Sequence, residues 1–182
     1  MLCDDEARKR YNHELTSNIE AARAAAASGD TSWLKRYLAL QGDVNARDPK
    51  GCSLLWVASS RNRTDACKLL LEHGADINLP HYEGGTPLLV ASMHNHLPTV
   101  KLLIQRGANV DQAHSTGVTP LFNASGLDAP ELVQILIQAG ANVNIFARGS
   151  FPLINAVFKN RLTVVKLLLR AGADTSLRHK VC

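Results

Sequence analysis

The amino-acid sequence predicts an all-α solenoid of about five helix-loop-helix repeats with short projecting hairpin fingers. A stretch that starts at Gly84 recurs 33 residues later at Gly117 and 33 residues earlier at Gly51, and a further copy starts at Gly149. Each copy holds two short apolar segments with helical spacing, and a glycine follows the second segment. A fixed period near 33 residues is typical of repeats that bury their apolar faces against their neighbours.

The N-terminal part of the chain differs from the regular repeats. Residues 1–17 mix charges with little periodicity, so they are expected to be either disordered or a helix laid over the first repeat. Repeat 1, residues 18–48, is degenerate, with an alanine-rich first helix and a second helix anchored by Trp33, Leu34 and Leu38. Charges on the first helix suit the solvated outer face of a terminal cap.

Four regular repeats follow, at 49–81, 82–114, 115–146 and 147–182. In the copies that start at Gly84 and Gly117, Thr-Pro begins the first helix, because proline is tolerated in the first helical turn. The loop between the helices is expected to hold one left-handed residue, since Asn and Asp tolerate that conformation; the four candidates are Asn62, Asn95, Asp128 and Asn160. In the second helix of repeat 3, Leu102 is expected to be a buried core residue.

The motifs Thr86-Pro87-Leu88 and Thr119-Pro120-Leu121, with the helix ends GADIN, GANVD, GANVN and GADTS, resemble those of ankyrin-repeat proteins. The resemblance covers residues 18–178 and implies an ankyrin-repeat solenoid. The family's usual His after Thr-Pro-Leu is absent, and we interpret this as a packing variation. That position holds Trp56, Leu89, Phe122 and Ile154.

Composition narrows the class of protein. The 182 residues carry a net charge of +4 and only 5% aromatic residues, which predicts an aliphatic core. No apolar run approaches the roughly 18 residues that span a membrane, and the charged N-terminus lacks a signal-peptide core. The four cysteines form no C-x-x-C pair, so free thiols are expected. These features favour an intracellular protein, cytoplasmic or nuclear.

Catalytic chemistry is not predicted. The sequence lacks a Gly-rich phosphate loop, a G-x-S-x-G motif and an H-E-x-x-H motif, so we expect no enzyme activity and no cofactor. His94 and His96, with His81 and His114 nearby in the fold, raise the question of a metal site, but they are expected to belong to exposed loops and finger tips. A disulfide between Cys52 and Cys67 is likewise not expected.

The resemblance also implies a binding surface. In ankyrin-repeat proteins the groove is built by finger tips and the inner face of the first helices, and it binds protein partners. Carried over position by position, the partner-binding residues here are Lys50, Cys52, Arg61, Tyr82, Glu83, Met93, His94, Thr116, Val118, Leu127, Arg148, Phe158 and Lys159. Tyr, Met, Phe and Arg are enriched at the cores of protein interfaces.

Three further expectations concern the fingers and the end of the chain. The finger between Gly140 and Gly149 is one residue shorter than its counterparts, so it should tilt or retract. The last repeat is as apolar as an internal one, which suggests self-association or a longer natural chain. Asparagines of the kind at Asn45, Asn78 and Asn144 are hydroxylated in some animal ankyrin proteins, which the resemblance permits here.

Several functions stay open at this point. The leading hypothesis is a non-catalytic protein-protein interaction module that acts as scaffold, adaptor or inhibitor. One alternative is the substrate-receptor arm of a longer ubiquitin-ligase adaptor chain. Another is a nucleic-acid binder that uses the basic fifth repeat, although few aromatic residues alternate with its basic ones.

Overall fold

The computed structural model describes residues 18–177, so expectations about the order of residues 1–17 and the last five residues lie outside the described part. Within it the chain forms ten short helices. They are α1 (18–28), α2 (Thr31–Ala39), α3 (Leu54–Ser60), α4 (Thr64–Glu72), α5 (Pro87–Met93), α6 (Leu97–Gln105), α7 (Pro120–Gly126), α8 (Pro130–Gln138), α9 (Pro152–Phe158) and α10 (Leu162–Arg170). The predicted all-α repeat solenoid is confirmed.

The helices form five pairs, and each pair packs against the next. In the four regular pairs a seven-residue first helix and a nine-residue second helix flank a three-residue loop. The first helices α3, α5, α7 and α9 contact each other in sequence, and each contacts its own second helix. Helices this short are marginal alone, so their stability comes from this stacking.

One aliphatic core runs through all five pairs. It consists mainly of leucines and alanines, and each fully buried leucine side chain contributes about 1.5–3 kcal/mol on transfer from water. Ala58, Ala91, Ala124 and Ala156 are fully buried at equivalent positions of the first helices, where small side chains allow neighbouring helices to approach closely. The expectation for Leu102 is wrong: it is only half-buried, whereas Leu103 is 0% exposed.

Hydroxyl caps begin three of the first helices. The side chains of Ser53, Thr86 and Thr119 each accept a hydrogen bond from the N–H three residues later, at 3.1–3.2 Å. These bonds satisfy backbone donors that a helix start leaves free. Phe151 occupies the same position before α9 and cannot cap the helix; its ring packs against Phe146 at 5.1 Å instead.

The loops within the pairs follow the predicted pattern in three cases. Asn62, Asn95 and Asn160 have φ of 54°, 53° and 56°, the left-handed conformation that Asn tolerates. The prediction for Asp128 is wrong, because its φ is not positive and Leu127 before it is extended (φ −86°, ψ 157°). Pro130 opens α8 directly after this loop and restricts Ala129, which has φ −133°.

Four fingers connect the pairs: finger 1 (43–52), finger 2 (76–85), finger 3 (109–118) and finger 4 (142–150). Backbone bonds join the first three, from the N–H of Tyr82 to the carbonyl of Lys50 (3.3 Å) and from the N–H of Ser115 to that of Glu83 (2.9 Å). Among residues 18–177 no equivalent bond reaches finger 4. That finger closes instead by a two-residue turn at Arg148 and Gly149, both with positive φ.

Asn and Asp side chains also link each finger to the next, and finger 4 to the segment after α10. In every case an Oδ atom accepts the backbone N–H of a residue about 31 positions later, at 2.8–3.0 Å. The bonds run to Asn45 from Asp76, to Asn78 from Asn109, to Asp111 from Asn142 and to Asn144 from Asp174. The side-chain oxygens of Asn45, Asn78 and Asn144 thus bond the next unit of the solenoid. The ladder makes the spacing of the fingers regular.

Candidate functional site

Three cavities lie between the fingers and the first helices, and we call the surface they form the groove. The N-terminal cavity, about 500 Å³, is lined by Lys50, Cys52, Trp56, His81, Tyr82 and Glu83. The central cavity, about 630 Å³, is lined by Leu89, Met93, His114, Thr116, Val118, Phe122, Asn123, Gly126, Leu127, Arg148, Asn155, Lys159 and Arg161. The C-terminal cavity, about 260 Å³, is lined by Phe122, Arg148, Ser150, Ile154, Asn155 and Phe158.

The predicted binding residues divide among these cavities. Met93, Thr116, Val118, Leu127 and Lys159 line the central one. Arg148 lines both the central and the C-terminal cavity, and Phe158 lines the latter. Lys50, Cys52, Tyr82 and Glu83 line the N-terminal one, although Cys52 is only 8% exposed and offers little contact area. Arg61 and His94 are exposed but line none of the three cavities.

The central cavity exists because the fourth helix pair departs from the pattern of the others. The last residues of the first helices are Ser60, Met93, Gly126 and Phe158. Gly126 has no side chain to fill the gap between its neighbours, and a Cβ there would lie 2.9 Å from Nδ2 of Asn155. At the helix end where its neighbours carry Met93 and Phe158, this pair therefore contributes no side chain to the cavity wall.

The loop after Gly126 enlarges the same gap. In the three other loops, a side-chain nitrogen of the third residue lies 2.9–3.3 Å from a backbone carbonyl oxygen in the first helix of the preceding pair. These contacts run from Arg63 to Ala27, from His96 to Ser60 and from Arg161 to Gly126. The corresponding residue of this loop is alanine, which has no polar group to make that contact.

The floor and the rim of the central cavity differ in chemistry. Leu89 and Phe122, 1% and 8% exposed, form part of an apolar floor with Val118. The rim carries three cations and no carboxylate. They are Arg148, Lys159 and Arg161. Within residues 18–177 none of these cations forms a salt bridge. The positive charge at this cavity is therefore not neutralised by the rest of the described chain.

Arg161 and Lys159 are held loosely by their surroundings. Nε of Arg161 donates to the carbonyl of Gly126 at 3.3 Å, which leaves the outer nitrogens of the guanidinium directed elsewhere. Nζ of Lys159 lies 5.8 Å from the ring centre of Phe158, a cation-π distance. Within the described residues, Nζ of Lys159 and the outer nitrogens of Arg161 therefore have no hydrogen-bond partner.

His81, Glu83 and His114 form a cluster between the N-terminal and central cavities. One ligand atom of each lies within 4.8 Å of the others, which is a donor set that metals use. Nδ1 of His81 accepts the N–H of Glu83, and Nδ1 of His114 accepts the N–H of Thr116. In that arrangement the proton of each neutral ring is on Nε2, so the rings do not present Nε2 lone pairs to a metal. Nε2 of His114 lies 3.6 Å from a Glu83 oxygen.

The two described cysteines are free and poorly suited to catalysis. Burial raises the pKa of the Cys67 thiol to about 11, and Sγ lies 3.6 Å from the hydroxyl of the buried Ser59. Burial, with Asp48 nearby, also raises the pKa of Cys52. Both thiols are thus protonated at neutral pH, whereas a nucleophilic cysteine needs a lowered pKa.

Several cavity residues were missed by reasoning from the sequence. Leu89 and Phe122 were interpreted as packing substitutions, yet both reach the cavity floor. Gly126 and Arg161 were not predicted, although aligning the repeats shows that Gly126 replaces Met93 and Phe158 at the same helix end. A missing side chain carries no chemical motif, so only that alignment could have revealed the gap.

Comparison with protein families agrees with this architecture. A family model described as ankyrin repeats (3 copies) matches residues 22–114 and again residues 110–179. The chain belongs to the ankyrin-repeat family. Ankyrin repeats indicate a protein-protein interaction module, and the family is generally non-catalytic. No curated protein matches the chain significantly. None of the helices within residues 18–177 is long and apolar enough to cross a membrane.

Proposed function

We propose that the protein is a non-catalytic interaction module that binds a protein partner through the groove. The observation that carries this proposal is the row of three cavities between fingers and first helices, beside which apolar side chains remain exposed. Tyr82, Met93 and Phe158 are 69%, 50% and 83% exposed. Large apolar side chains next to concave surfaces are typical of protein interaction sites.

The mechanism is geometric. The ladder of Asn and Asp side chains fixes the spacing of the fingers before a partner arrives, and two backbone bonds join the first three fingers. A surface that is already ordered loses little conformational entropy on association, so more of the contact energy appears as affinity. This arrangement fits a scaffold, adaptor or inhibitor that acts by occupying a partner's surface.

Affinity purification with quantitative mass spectrometry tests the proposal. Tyr82→Ala/Phe158→Ala should lose a partner that the wild type retains, while its melting temperature stays nearly unchanged because both side chains are exposed. Leu40→Ala is the matched control, since Leu40 is 84% exposed but lines none of the three cavities. Equal recovery by the double variant and the control would contradict the proposed groove.

A nucleic-acid function is the second candidate, and the three cations of the central cavity favour it. Phosphate-driven affinity falls steeply with salt, with a slope of about −2 in log-log terms for three contacts to a single strand. Binding of a 20-nucleotide single strand between 50 and 300 mM salt measures that slope. The role of a substrate-receptor arm in a longer ubiquitin-ligase adaptor is carried by the resemblance alone and stays a prediction.

A further inference from the structure

The central cavity combines an apolar floor with a rim that carries only positive charge. We propose that it is a subsite for a short acidic-apolar peptide segment of the partner. An aliphatic or aromatic side chain would occupy the floor, and a neighbouring carboxylate would pair with Arg148 and Lys159. This inference rests on the proposed function, because it specifies which chemistry the groove recognises.

The floor fits an apolar anchor. The volume of about 630 Å³ lies within the range of pockets that enclose a ligand group, and Leu89, Val118 and Phe122 supply apolar surface. Gly126 also lines this space, and a Cβ there would lie 2.9 Å from Nδ2 of Asn155, so the glycine leaves room for the Asn155 amide. The amide of Asn155 is already engaged, because Nδ2 donates to the carbonyl of Phe122 at 3.0 Å.

The rim fits a carboxylate. Three cations that lack an acidic partner in the described chain raise the local positive potential, and a partly enclosed site screens that potential less than open solvent does. Arg148 can bind a carboxylate with two parallel hydrogen bonds, which adds direction as well as strength. Glu83 does not line this cavity, although one of its carboxylate oxygens lies 3.6 Å from Nε2 of the lining residue His114.

The backbone of Arg148 supports a functional role. Its φ of 49° places a long, non-glycine side chain in the left-handed region, at a turn where Asn or Gly is usual. Such a conformation costs about 1–2 kcal/mol and tends to persist where the side chain has a use. Here the strained turn places the guanidinium between the central and C-terminal cavities.

A peptide fits this cavity better than a nucleic-acid strand does. Single strands bind by stacking bases on exposed aromatic rings along a cationic path. Phe122, the aromatic residue that lines this cavity, is only 8% exposed and offers little ring surface for stacking, whereas the exposed rings of Tyr82 and Phe158 line the two neighbouring cavities. An apolar side chain from a peptide needs only apolar surface and depth, which the floor supplies.

Selection from a phage library of random seven-residue peptides tests the proposal, with the wild-type protein as bait. The selected peptides are expected to carry Asp or Glu within two positions of Leu, Ile or Phe. For a synthetic copy of one selected peptide, Arg148→Ala/Lys159→Ala should raise the Kd at least tenfold. The matched control Lys166→Ala/Arg170→Ala removes two exposed cations from α10 and should leave the Kd unchanged.

Charge reversal provides a second test that does not depend on loss of binding. Arg148→Glu/Lys159→Glu should select peptides with Lys or Arg beside the same apolar residues, while circular dichroism shows an unchanged fold. Enrichment of uncharged peptides by the wild type, equal affinity of the Ala double variant, or no enrichment at all would overturn the proposal.

The outcomes separate this inference from the proposed function. Peptides that lose affinity with Tyr82→Ala/Phe158→Ala but not with Arg148→Ala/Lys159→Ala would leave the groove intact and refute the acidic-apolar subsite. Peptides indifferent to both double variants would refute both. A 20-nucleotide single strand that depends on Arg148 and Lys159, with no peptide enriched, would replace the peptide with nucleic acid.

Discussion

Arg148 has a left-handed backbone conformation, which lowers stability, and its side chain lines two cavities of the groove. In finger 1 the residue before the turn glycine is Lys50, whose φ is not positive, whereas Arg148 before Gly149 has φ 49°. The difference follows from length, because finger 4 is one residue shorter and closes by a two-residue turn that needs two left-handed residues.

We expect Arg148→Gly to stabilise the protein by about 0.5–1 kcal/mol. Removing the left-handed penalty of about 1–2 kcal/mol outweighs the extra entropy of glycine in the unfolded chain, about 0.5–1 kcal/mol. Urea unfolding measures the change. Lys50→Gly is the control and should give no gain, so equal effects of the two substitutions would show that the turn is not strained.

The buried thiol of Cys67 predicts a pH dependence of stability. Its pKa is about 11 in the folded protein and near 9 when unfolded, so the unfolded chain loses the thiol proton first. This contribution is therefore fully present below about pH 9 and is lost as the pH rises toward 11, with a maximum of roughly 2–3 kcal/mol. Unfolding free energies at pH 8.0, 9.5 and 10.5 should converge for wild type and Cys67→Ala. Parallel curves would contradict the burial of this group.

The residue scale is also where prediction from the sequence was weakest. Leu102 and Leu103 are adjacent and chemically identical, and only the rotational phase of α6 decides which one is fully buried. Cys52 occupies a position that the resemblance assigns to the groove, yet it is 8% exposed. Adjacent positions of a helix lie about 100° apart around its axis, and Cys52 precedes α3 at the end of finger 1, so burial at these positions depends on how each element packs, which residue patterns do not specify.

At the scale of the element, capping decides how well the first helices begin. Thr86 is 1% exposed and its Oγ1 accepts the N–H of Leu89 at 3.1 Å. Thr86→Ala should cost about 1–2 kcal/mol in unfolding free energy, because a helix donor loses its partner in a buried place. Thr86→Ser keeps the hydroxyl and should recover most of that loss. A similar loss for both variants would assign the effect to the methyl group instead.

The loops show what local sequence can and cannot predict. The prediction of a left-handed conformation is correct for Asn62, Asn95 and Asn160, and it rests on the residue type at a loop position where ankyrin repeats usually have glycine. Asp128 was not, since the tolerance of Asp for that conformation competes with the restriction that Pro130 places on Ala129. The backbone N–H of the third loop residue bonds the preceding helix in the other regular pairs, as from His96 to Ala91 at 2.9 Å, and the described structure has no such bond from Ala129.

At the scale of the whole molecule, one core joins all five helix pairs. Removing a buried side chain from any pair should therefore lower the unfolding free energy of the protein. Leu103→Ala should cost about 2–5 kcal/mol, because Leu103 is fully buried and a cavity would remain. Leu102→Ala, in the same helix but half-buried, is the matched comparison and should cost less. Thermal or urea unfolding measures both changes. A larger loss of unfolding free energy for Leu102→Ala than for Leu103→Ala would contradict the face that α6 turns toward the core.

The period of the repeats predicted the fold because each unit carries apolar residues at the same positions and buries them against its neighbours in the same way. The candidate site was harder, since it arises where the repeats differ: Gly126 in place of Met93, an extended Leu127, and a shortened finger 4. The cavity combines these departures, and none of them is a motif by itself. Regularity could therefore be predicted from the sequence, whereas the effect of the departures needed the structure.

Site-specific photo-crosslinking tests the central claim, that the groove binds a protein, most directly. A photoreactive amino acid replaces Tyr82 or Phe158 in the groove, or Leu40 as the exposed control outside it, and the protein is irradiated in extract from cells that express it. We predict one covalent adduct shared by positions 82 and 158 and absent at position 40. The same adduct at position 40, or adducts at position 40 alone, would contradict the groove as the binding surface.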